Sequence, residues 1–454
     1  MTNAIIAYGA YVPRHRLQLQ ALGEALGERA GKGSRAVASF DEDSTTMGVE
    51  ASRRALRSAP PAPESIFFAT SSPAYLDKTN ATAIHAALDL GHSGFAADTA
   101  GSPRSSIAAL RAAEAQGGLA VLADVRIGRP GSADERQSGD AAAAFLFGPE
   151  TDALVVKLAE ASATAEFLDR WRTPGDSAST VWEERFGLEA YMPLVKDATS
   201  RALEQAGVES CDHVVVSSPH SRVAVTAAKL LGSSSPPTGI GYSGAADLGV
   251  GLAAVLDVAE PGQTILLVSA ADGCDAVVLK ATDRLPDARQ ADSVEAQVAA
   301  ARDVSYASYL TWRGLLDREP PRRPEPDRPA GPPSARSEAW KFGFVGSVCT
   351  NCDAVQVPPG RVCPNCGVVD QFEHRRLADK QGAVATYTVD HLAFSPSPPV
   401  IDVVVDLDDG GRCTLELTDG SPDQVEIGTR VELTFRRLYT SGGVHNYFWK
   451  VRPL

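Results

Sequence analysis

Two cysteine pairs near the C-terminal end place the strongest constraint on what this chain folds into. Cys349 and Cys352 form one CxxC motif, and Cys363 and Cys366 form a second, in a chain that has only seven cysteines. Each motif offers two thiolates from a tight turn, and four thiolates complete the closed tetrahedral shell of structural zinc. We therefore predict a zinc site with no open position for a substrate, so that the metal stabilises structure and does no chemistry.

The alternative for these cysteines is a pair of disulfides or redox-active motifs. The N-terminal residues 1–6 lack the basic flank and long apolar run of a secretory signal, and no apolar run reaches membrane-spanning length. We therefore expect a cytoplasmic protein without a membrane partner, whose cysteines stay reduced for metal binding. No βαβ pattern surrounds the two motifs, which also favours the zinc site over a redox site.

Composition limits the partners of this chain. Its 454 residues, with 44% hydrophobic and 22% charged side chains, are typical of a folded protein with two or three domains. The formal net charge of −14 argues against a general affinity for nucleic acid or an anionic membrane, because both need a basic field. Local basic patches are still compatible with this charge.

Residues 1–282 alternate short apolar runs with Ala-rich helical stretches, a rhythm that predicts an α/β fold. The predicted strands are Ser65–Thr70, Leu119–Asp124, Ala142–Phe147, His213–Ser218, Thr264–Ser269 and Ala276–Lys280. The predicted helices are Ser44–Ser58, Asn80–Leu90, Ser105–Ala115, Pro193–Ala206, Arg222–Leu231 and Ala245–Val258. The run Ile66–Ser71 is echoed by Val214–Ser218, and Gly117–Asp124 is echoed by Pro261–Ser269. These echoes predict an internal duplication, with ligand sites where strand ends of the two halves meet.

Three segments interrupt or follow this pattern. Phe167–Gly187 breaks the rhythm and is predicted to be an insertion that caps a pocket, forms a dimer contact or supplies core aromatics. Ser293–Leu316 is predicted to be an aromatic helix that docks on a neighbouring surface. Residues 319–326 are rich in proline and predict an extended, semi-rigid linker. We assign residues 283–335 to this aromatic helix and linker.

Residues 373–454 read as a small all-β domain after a zinc ribbon at 336–372. Its predicted strands are Gly382–Val389, Val400–Asp406, Arg412–Thr418, Arg430–Leu438 and Val444–Val451. Five short antiparallel strands separated by Gly, Asp and Ser turns favour a closed barrel of the OB-fold type. OB-folds often bind nucleic acid through aromatic and basic residues, and Phe435–Arg437 and Tyr447–Lys450 are the only runs of that kind.

A zinc ribbon followed by an OB-fold, behind an aromatic helix and a Pro-Arg linker, closely resembles the accessory proteins that accompany thiolases and thiolase-like aldolases. The resemblance covers residues 300–454. It implies a rubredoxin-like ribbon and a scaffold that holds a thiolase-fold subunit and guides acyl-CoA thioesters between active sites.

The first 282 residues resemble the thiolase superfamily and, within it, the hydroxymethylglutaryl-CoA synthases. The resemblance rests on five segments of the sequence: 9–14, 41–47, 78–82, 218–220 and 242–249. It implies an internally duplicated thiolase-like α/β fold that pairs into dimers, with acyl-CoA thioesters as ligands.

The family's catalytic residues are replaced at three positions. Condensing enzymes of this superfamily carry the acyl group on a cysteine at a helix N-terminus, and that position falls on Pro103. The neighbouring Ser102 and Ser105 have no evident base, and Cys211 and Cys274 lie elsewhere, as buried or turn residues. Losing the nucleophile typically removes several orders of magnitude of rate, so covalent acyl transfer is not expected.

Two further catalytic positions of the family also carry other residues here. The family's acid/base glutamate falls on Ser71, and its oxyanion-binding asparagine falls on Ile240. Only His220 remains of the set, and it either donates to a thioester or enolate oxygen or caps the helix that follows it. Retro-aldol cleavage needs no acyl-enzyme, and His220, Tyr242, Tyr75 and Asp98 are candidates for its proton transfers.

The sequence therefore supports a hydroxymethylglutaryl-CoA synthase-like protein, fused to its own scaffold, that works on acyl-CoA thioesters within a thiolase complex. It is either a cysteine-independent lyase or a non-catalytic partner of a separate thiolase, so its status as an enzyme stays open between these two. A homo- or hetero-oligomer is expected in both cases. The alternative from another class is an acyl-CoA or nucleic-acid binding module without catalysis.

Overall fold

The computed structural model describes residues 3–29, 31–57, 60–233 and 239–454. It divides into two compact units. The first contains Met1–Ala38, Asp43–Thr82 and His92–Tyr309, and the second contains Ser39–Glu42, Ala83–Gly91 and Leu310–Leu454. Within the described ranges, no helix combines the length and the apolar character that crossing a bilayer requires.

The secondary structure follows in chain order. The strands up to residue 303 are Asn3–Tyr11 (β1), His15–Gln18 (β2), Ser34–Val37 (β3), Ser65–Thr70 (β4), Phe95–Ala100 (β5), Leu119–Asp124 (β6), Ala141–Pro149 (β7), Val155–Ala163 (β8), Arg170–Trp171 (β9), Thr180–Val181 (β10), His213–Ser217 (β11), Thr264–Ser269 (β12), Cys274–Ala281 (β13) and Arg302–Asp303 (β14). The helices up to residue 312 are Leu19–Leu26 (α1), Ser44–Ala55 (α2), Ala81–Ala87 (α3), Ser105–Gln116 (α4), Ala133–Gln137 (α5), Glu184–Ala206 (α6), Ser221–Leu230 (α7), Asp247–Leu256 (α8), Val294–Ala299 (α9) and Tyr306–Trp312 (α10).

The first unit is organised around a nine-stranded sheet in the order β11-β12-β13-β8-β1-β7-β6-β4-β5. A single residue pair, Ile5 opposite Val155, joins its two halves. Both halves share the same sequence of strand pairings. In each half the first pair is parallel, β4 with β6 in one and β11 with β12 in the other. The next two pairs are antiparallel, β6-β7 and β7-β1 in one half and β12-β13 and β13-β8 in the other. This repeated order confirms the predicted internal duplication.

Helices cover both halves of the sheet. The helix α2 packs on β1 and β7, and α6 packs on β8 and β13, while α4 and α8 contact the other faces. One core cluster joins apolar residues of α4, α8 and both halves, such as Ile107, Leu252 and Leu267. This arrangement buries α8 almost completely, which explains why that helix is apolar around its circumference.

Most of the predicted elements are confirmed. The strands β4, β6 and β12 have the predicted bounds, and the others differ at their ends by a few residues. The predicted helix Ser44–Ser58 ends at Ala55, and Ser58 itself lies outside the described residues. The predicted insertion Phe167–Gly187 contains the small β9-β10 sheet and the first turn of α6.

The single aromatic helix predicted over Ser293–Leu316 is wrong. The segment forms α9, the short strand β14 and α10, because β14 pairs with β2 and interrupts the helix. Ser305 then starts α10 by accepting a hydrogen bond from the backbone N–H of Ser308. The first compact unit continues to Tyr309, beyond the proposed boundary at residue 282.

The second unit contains two β structures. The remaining elements are Gly331–Arg336 (α11), Glu338–Lys341 (α12), Val345–Cys349 (β15), Val355–Gln356 (β16), Phe372–Arg376 (β17), Gln381–Asp390 (β18), Val400–Leu407 (β19), Arg412–Leu417 (β20), Arg430–Ser441 (β21) and Val444–Pro453 (β22). The strands β15, β16 and β17 form a small sheet. The last five strands close into a barrel, as the sequence predicted, and their order is β18-β19-β20-β22-β21. The pair β20 and β22 is parallel, whereas the prediction had antiparallel strands throughout.

Candidate functional site

The four cysteines of the two CxxC motifs meet at the end of β15. Their sulfur atoms all lie within 4.8 Å of one another. The Sγ atoms of Cys349 and Cys366 are 3.6 Å apart, and those of Cys352 and Cys363 are also 3.6 Å apart. Each motif is followed by a residue with a positive φ, Asp353 at 59° or Gly367 at 76°, so the two turns are built alike.

These separations fit a tetrahedral metal site. Zinc–sulfur bonds of about 2.3 Å place the sulfurs of a tetrahedral site roughly 3.8 Å apart. A disulfide would need about 2.05 Å between the sulfurs, and all four thiols are free. The backbone N–H of Val368 lowers the pKa of the Cys366 thiol to about 6, which favours the thiolate that a metal requires.

Pro103, which is predicted to occupy the family's cysteine position, lies in the turn that precedes α4. Its carbonyl accepts hydrogen bonds from the N–H of Ser106 at 3.2 Å and from the Ser106 hydroxyl at 2.9 Å. The position therefore stands at a helix N-terminus, where an acyl-carrying cysteine is usually activated, but it offers neither a nucleophile nor an N–H.

Arg104 fills the space beside this turn. Its Nε donates to the Asp275 carboxylate at 2.8 Å, and its Nη1 donates to the carbonyl of Asp272 at 2.7 Å. A side chain at Gly273 would collide with this guanidinium at 2.5 Å. Asp275 is buried and also accepts from the Ser162 hydroxyl at 2.6 Å. The Arg104–Asp275 ion pair thus occupies the region in front of α4. Neither side chain of this pair is free to attack a thioester.

Ser71, at the family's glutamate position, follows β4 and is held in a polar network. Its hydroxyl donates to Asp124 at 2.7 Å and accepts from the Arg126 guanidinium at 3.0 Å. The Asp124 carboxylate is fully buried. It accepts six hydrogen bonds, from Thr70 Oγ1, Ser71 N and Oγ, Ser72 N and Oγ, and Ala245 N. Ser71 therefore serves as one partner of a buried carboxylate.

His220 is engaged at both ring nitrogens. Its Nδ1 accepts from the N–H of Val223 at 3.3 Å and so caps α7. Its Nε2 lies 2.9 Å from the carbonyl oxygen of Glu184 and donates to it in the matching tautomer. A side chain at Gly187 would collide with this ring at 2.5 Å. The geometry matches the capping interpretation of His220, and any catalytic function would require breaking one of these two contacts.

Tyr242 differs from the residues above because its hydroxyl has no hydrogen-bond partner among the described residues, although that oxygen is buried. The Arg126 guanidinium lies over its ring, 5.7 Å from the centroid. Burial raises the pKa of this hydroxyl well above its ordinary range, and Arg126 partly opposes the shift. At neutral pH Tyr242 is a proton and hydrogen-bond donor aimed at no group of the described residues.

One further arginine acts on this tyrosine, and another contacts Ser71. Arg170 forms a bidentate ion pair with Asp134, with both N–O distances at 2.7 Å, and its charge acts on Tyr242. Arg172 donates to the carbonyl of Ser71. Burial, together with the neighbouring Arg126, lowers the pKa of Arg172. The Nε of Arg126 is buried, 7% of that residue is exposed, and no described group accepts from this nitrogen.

The remaining predicted positions have other hydrogen-bond partners. Tyr75 is held through its backbone N–H, which donates to Asn80 Oδ1 at 3.0 Å. Asp98 accepts from the N–H groups of Asn80 and Ala81 at the start of α3. Ile240 is completely buried and its carbonyl accepts from the N–H of Ala36 at 2.8 Å, so this position offers no side-chain donor.

Arg126 and Arg104 are the functional candidates that the sequence did not reveal. Arg126 contacts Ser71 across a sequence separation of 55 residues, and Arg104 contacts Asp275 across 171. Both arginines lie within a few residues of a strand end or helix start that the sequence did locate. That proximity was the only available signal.

The two basic runs of the barrel do not form an exposed basic face. Arg436 is buried, and its guanidinium contacts Glu42 at 2.8 Å and Asp419 at 2.7 Å. Lys450 is also buried, and its ammonium contacts Asp41 at 3.1 Å and Glu416 at 2.7 Å. The charges of both side chains are neutralised within the second unit.

Comparisons with known proteins agree with this architecture. A family model described as the ChsH2 rubredoxin-like zinc ribbon domain matches residues 343–370, and one described as the ChsH2 C-terminal OB-fold domain matches residues 375–436. Among solved structures, a hydroxymethylglutaryl-CoA synthase complexed with CoA has a TM-score of 0.60 at 17% identity, covering 68% of this chain and 89% of that one. The 3-oxoacyl-(acyl carrier protein) synthase III of Pseudomonas aeruginosa has a TM-score of 0.54 at 18% identity, covering 62% and 99%.

Sequence relatives extend this result beyond the fold. The hydroxymethylglutaryl-CoA synthase of Archaeoglobus fulgidus is 34% identical over 339 residues, which cover 68% of this chain and 98% of the relative. The enzyme of the same name from Pyrococcus furiosus is 31% identical over 335 residues, covering 68% and 95%. The chain therefore belongs to the hydroxymethylglutaryl-CoA synthase family, and it carries a ChsH2-type zinc ribbon and OB-fold in the same polypeptide.

Proposed function

We propose that this protein acts on acyl-CoA thioesters in the cleavage or formation of a carbon–carbon bond and forms no acyl-enzyme. The observation that carries the proposal is the turn before α4, where Pro103 stands at the nucleophile position and the Arg104–Asp275 ion pair fills the adjoining space. Family membership supports the ligand class, as does the bound CoA of one structural relative.

The reaction that fits this site is a retro-aldol cleavage of a β-hydroxyacyl-CoA. A base removes the proton of the β-hydroxyl, the bond between Cα and Cβ breaks, and the carbonyl product leaves as a ketone or aldehyde. The electron pair of the broken bond passes to the thioester as an enolate, which is then protonated at Cα to give the shorter acyl-CoA. No covalent bond to the protein forms at any stage.

Tyr242 and Arg126 are suited to the enolate oxygen. The Tyr242 hydroxyl is buried and free to donate, and the Arg126 guanidinium beside it supplies a positive charge. Fixed donors in a water-poor site stabilise developing negative charge more strongly than water does. Burial raises the pKa of the nearby Asp247 carboxyl, which makes this group the candidate for accepting the β-hydroxyl proton.

A second form of the proposal is a non-catalytic partner that holds a separate, cysteine-bearing thiolase. It is favoured by the hydrogen bonds of Ser71 and His220, the residues predicted at family catalytic positions. The polar side-chain atoms of both residues are used in contacts within the protein. In this form the chain binds the thioester and supports the active subunit. The zinc ribbon and barrel then serve as scaffold, with zinc held by the four cysteines.

Two measurements on the purified protein test the proposal. Intact-mass spectrometry after incubation with acetyl-CoA should show no added acetyl group, and a covalent adduct on residues 95–106 would contradict it. Incubation with β-hydroxyacyl-CoA should release a ketone or aldehyde together with a shorter acyl-CoA. If no product forms alone but a cysteine-bearing thiolase co-purifies from the native host and becomes active with it, the partner form is correct. Co-purification of RNA or DNA alone would support a binding module instead.

A further inference from the structure

The second unit contains a buried charged cluster that includes a short segment from far away in the sequence. Residues 39–42, Ser-Phe-Asp-Glu, belong to this unit by their contacts. They form a tight turn in which the N–H of Glu42 donates to the Ser39 carbonyl at 3.1 Å. The N–H of Ser39 donates back to the Glu42 carboxylate at 2.7 Å, so the turn is closed from both sides.

Strand β21 binds the main chain of this turn. The N–H of Arg437 donates to the carbonyl of Asp41 at 2.9 Å, and the Arg437 guanidinium donates to the carbonyl of Phe40 at 2.9 Å. Main-chain recognition of this kind is how sheets bind peptide segments. The segment is thus held through its backbone as well as its side chains.

Both acidic side chains of the turn, Asp41 and Glu42, contact side chains of the barrel. The Asp41 carboxylate contacts Lys450 at 3.1 Å and Arg436 at 3.3 Å, and it accepts from the Thr418 hydroxyl at 2.8 Å. Glu42 pairs with Arg436 at 2.8 Å. All of these charged side chains are at most 2% exposed.

Phe40, the third residue of the segment, packs through its aromatic ring. The Phe40 ring lies 5.1 Å below the Lys450 ammonium and 6.1 Å from the Trp312 ring. A cation over an aromatic ring and an aromatic pair are both favourable at these distances. Phe40, Asp41 and Glu42 therefore each have a dedicated set of contacts.

We infer that the barrel carries a recognition site for a short acidic segment and that Phe40–Glu42 is its ligand in this protein. Without the segment, Lys450 and the Arg436 guanidinium would lose three of their carboxylate contacts in a buried position. Leaving a buried charge without its partner is strongly unfavourable. Lys450 would keep Glu416 and the Arg436 guanidinium would keep Asp419, so the segment stabilises a barrel whose buried cations are only partly neutralised without it. The inference does not depend on the proposed reaction.

The site also explains why the barrel does not offer these cations to nucleic acid. The two side chains that a phosphate backbone would need are buried and paired with carboxylates of Asp41, Glu42, Glu416 and Asp419. A nucleic acid would have to displace these carboxylates against a chain with a net charge of −14.

A cleavable linker allows the site to be tested in the folded, full-length protein. Residues 317–320 are exposed and lie outside helices and strands, so a protease recognition sequence inserted there can be cut after folding. The C-terminal piece should remain bound to the rest of the chain in size-exclusion chromatography. Its release should be at least about tenfold faster in Thr418→Val, which removes a single hydrogen bond to a charged group, and faster still in Asp41→Asn.

The Asp406→Asn variant is the matched control, because Asp406 pairs with Arg412 on the exposed surface of the same barrel. It should release the C-terminal piece at the wild-type rate. Immediate separation of the cut wild-type protein would overturn the inference, as would equal release rates in all four proteins. Faster release on addition of single-stranded RNA would also overturn it, because the site would then serve nucleic acid. Thr418→Val keeps both ion pairs, so the test remains valid if Asp41→Asn fails to fold.

Discussion

Tyr242 combines two properties that seldom occur together in a side chain with only a packing function. Its hydroxyl is buried, and no described group accepts from it or donates to it. A buried hydroxyl without a partner costs about 1–3 kcal/mol of stability, so its position is better explained by a ligand than by folding. Arg126, whose buried Nε also lacks a partner among the described residues, has the same property.

We predict that Tyr242→Phe lowers kcat of the proposed lyase by about 10²- to 10³-fold, the usual effect of removing one donor from an oxyanion site. The ring still packs beside Arg126, so the thermal midpoint should change little or rise. Steady-state kinetics with β-hydroxyacyl-CoA, together with thermal unfolding, measure both effects. Tyr8→Phe is the control, because the Tyr8 hydroxyl donates to Asp257 at 2.8 Å and its loss should affect stability only. Equal activity in wild type and Tyr242→Phe would rule out this function.

Asp124 is expected to matter for stability whichever form of the function is correct. It accepts six hydrogen bonds from residues of the loop after β4 and the segment before α8. Replacing it by alanine leaves buried donors without an acceptor, and we predict a loss of about 3 kcal/mol or more in the free energy of unfolding. Urea titration measures this loss. A variant at the exposed Asp406 should change stability by less than about 1 kcal/mol.

At the residue scale, the sequence allowed replaced positions to be proposed but not the contacts around them. Pro103, Ser71 and Ile240 were proposed because each lies beside a motif that carries the family resemblance. Arg104 could not, since its contact with Asp275 depends on how two distant strand ends meet. The capping contacts of His220 were an open alternative, because a histidine before a helix can cap it or face a substrate.

The zinc ribbon is the element whose structure depends most directly on a ligand. In its small sheet, β15 is buried along its whole length, whereas β16 and β17 are half-buried or exposed, so metal binding should supply much of the folding energy of this ribbon. We predict one zinc ion per chain by elemental analysis, and loss of protection from proteolysis in residues 336–372 after chelation. Cys352→Ser should lose the metal, whereas Cys211→Ser, outside the cluster, should keep it. Full zinc content in Cys352→Ser would contradict the assignment.

The turn at residues 39–42 should make the barrel sensitive to acid. Burial would raise the pKa of Asp41, but Lys450 and Arg436 outweigh it and hold this pKa well below its ordinary range. The stability that Asp41 contributes is therefore fully present above about pH 5, starts to fall near pH 4, the pKa in an unfolded chain, and is fully lost only as the pH falls through the lower folded pKa. The other charged groups that face it are Glu42, Glu416, Asp419, Arg436 and Lys450.

Urea titrations at pH 7, 5 and 3.5 measure this dependence. The wild-type midpoint should fall below pH 5, and the midpoint of Asp41→Asn should start lower and fall less. The Asp406→Asn variant should follow the wild type. Parallel curves for wild type and Asp41→Asn would show that this carboxylate does not set the acid response.

Element patterns explain which parts of the fold were predictable. The barrel strands alternate and are separated by turn residues, so their period was visible in the sequence. The break between α9 and α10 was not visible, because it depends on the pairing of β14 with β2, more than 280 residues earlier in the chain. The sequence places Asp41 and Glu42 only within a motif of the family resemblance and does not reveal the turn at residues 39–42, since its partners on β20, β21 and β22 lie near the other end of the chain.

On the scale of the whole molecule, the two halves of the sheet differ by one strand, and this strand forms an exposed edge. The half made of β1, β4, β6 and β7 has an additional strand, β5, whereas the other half ends at β11 in the described residues. Among the described residues, strand β5 pairs only with β4, and Phe95 at its start is 54% exposed. An uncovered edge strand is a surface that pairs readily with another chain.

We therefore predict that the protein is a dimer joined through β5. Sedimentation or light scattering should give twice the chain mass of 47.7 kDa, because antiparallel pairing of two copies would satisfy the free edge of both. Phe95→Lys places a charge on this edge and should shift the equilibrium toward the monomer at micromolar concentration. Phe95 contacts Phe67, with ring centroids 5.8 Å apart, so Phe95→Ala, which loses the same contact without adding charge, separates the two effects. A monomeric wild type, or a Phe95→Lys variant as dimeric as Phe95→Ala, would show that the edge is covered in another way.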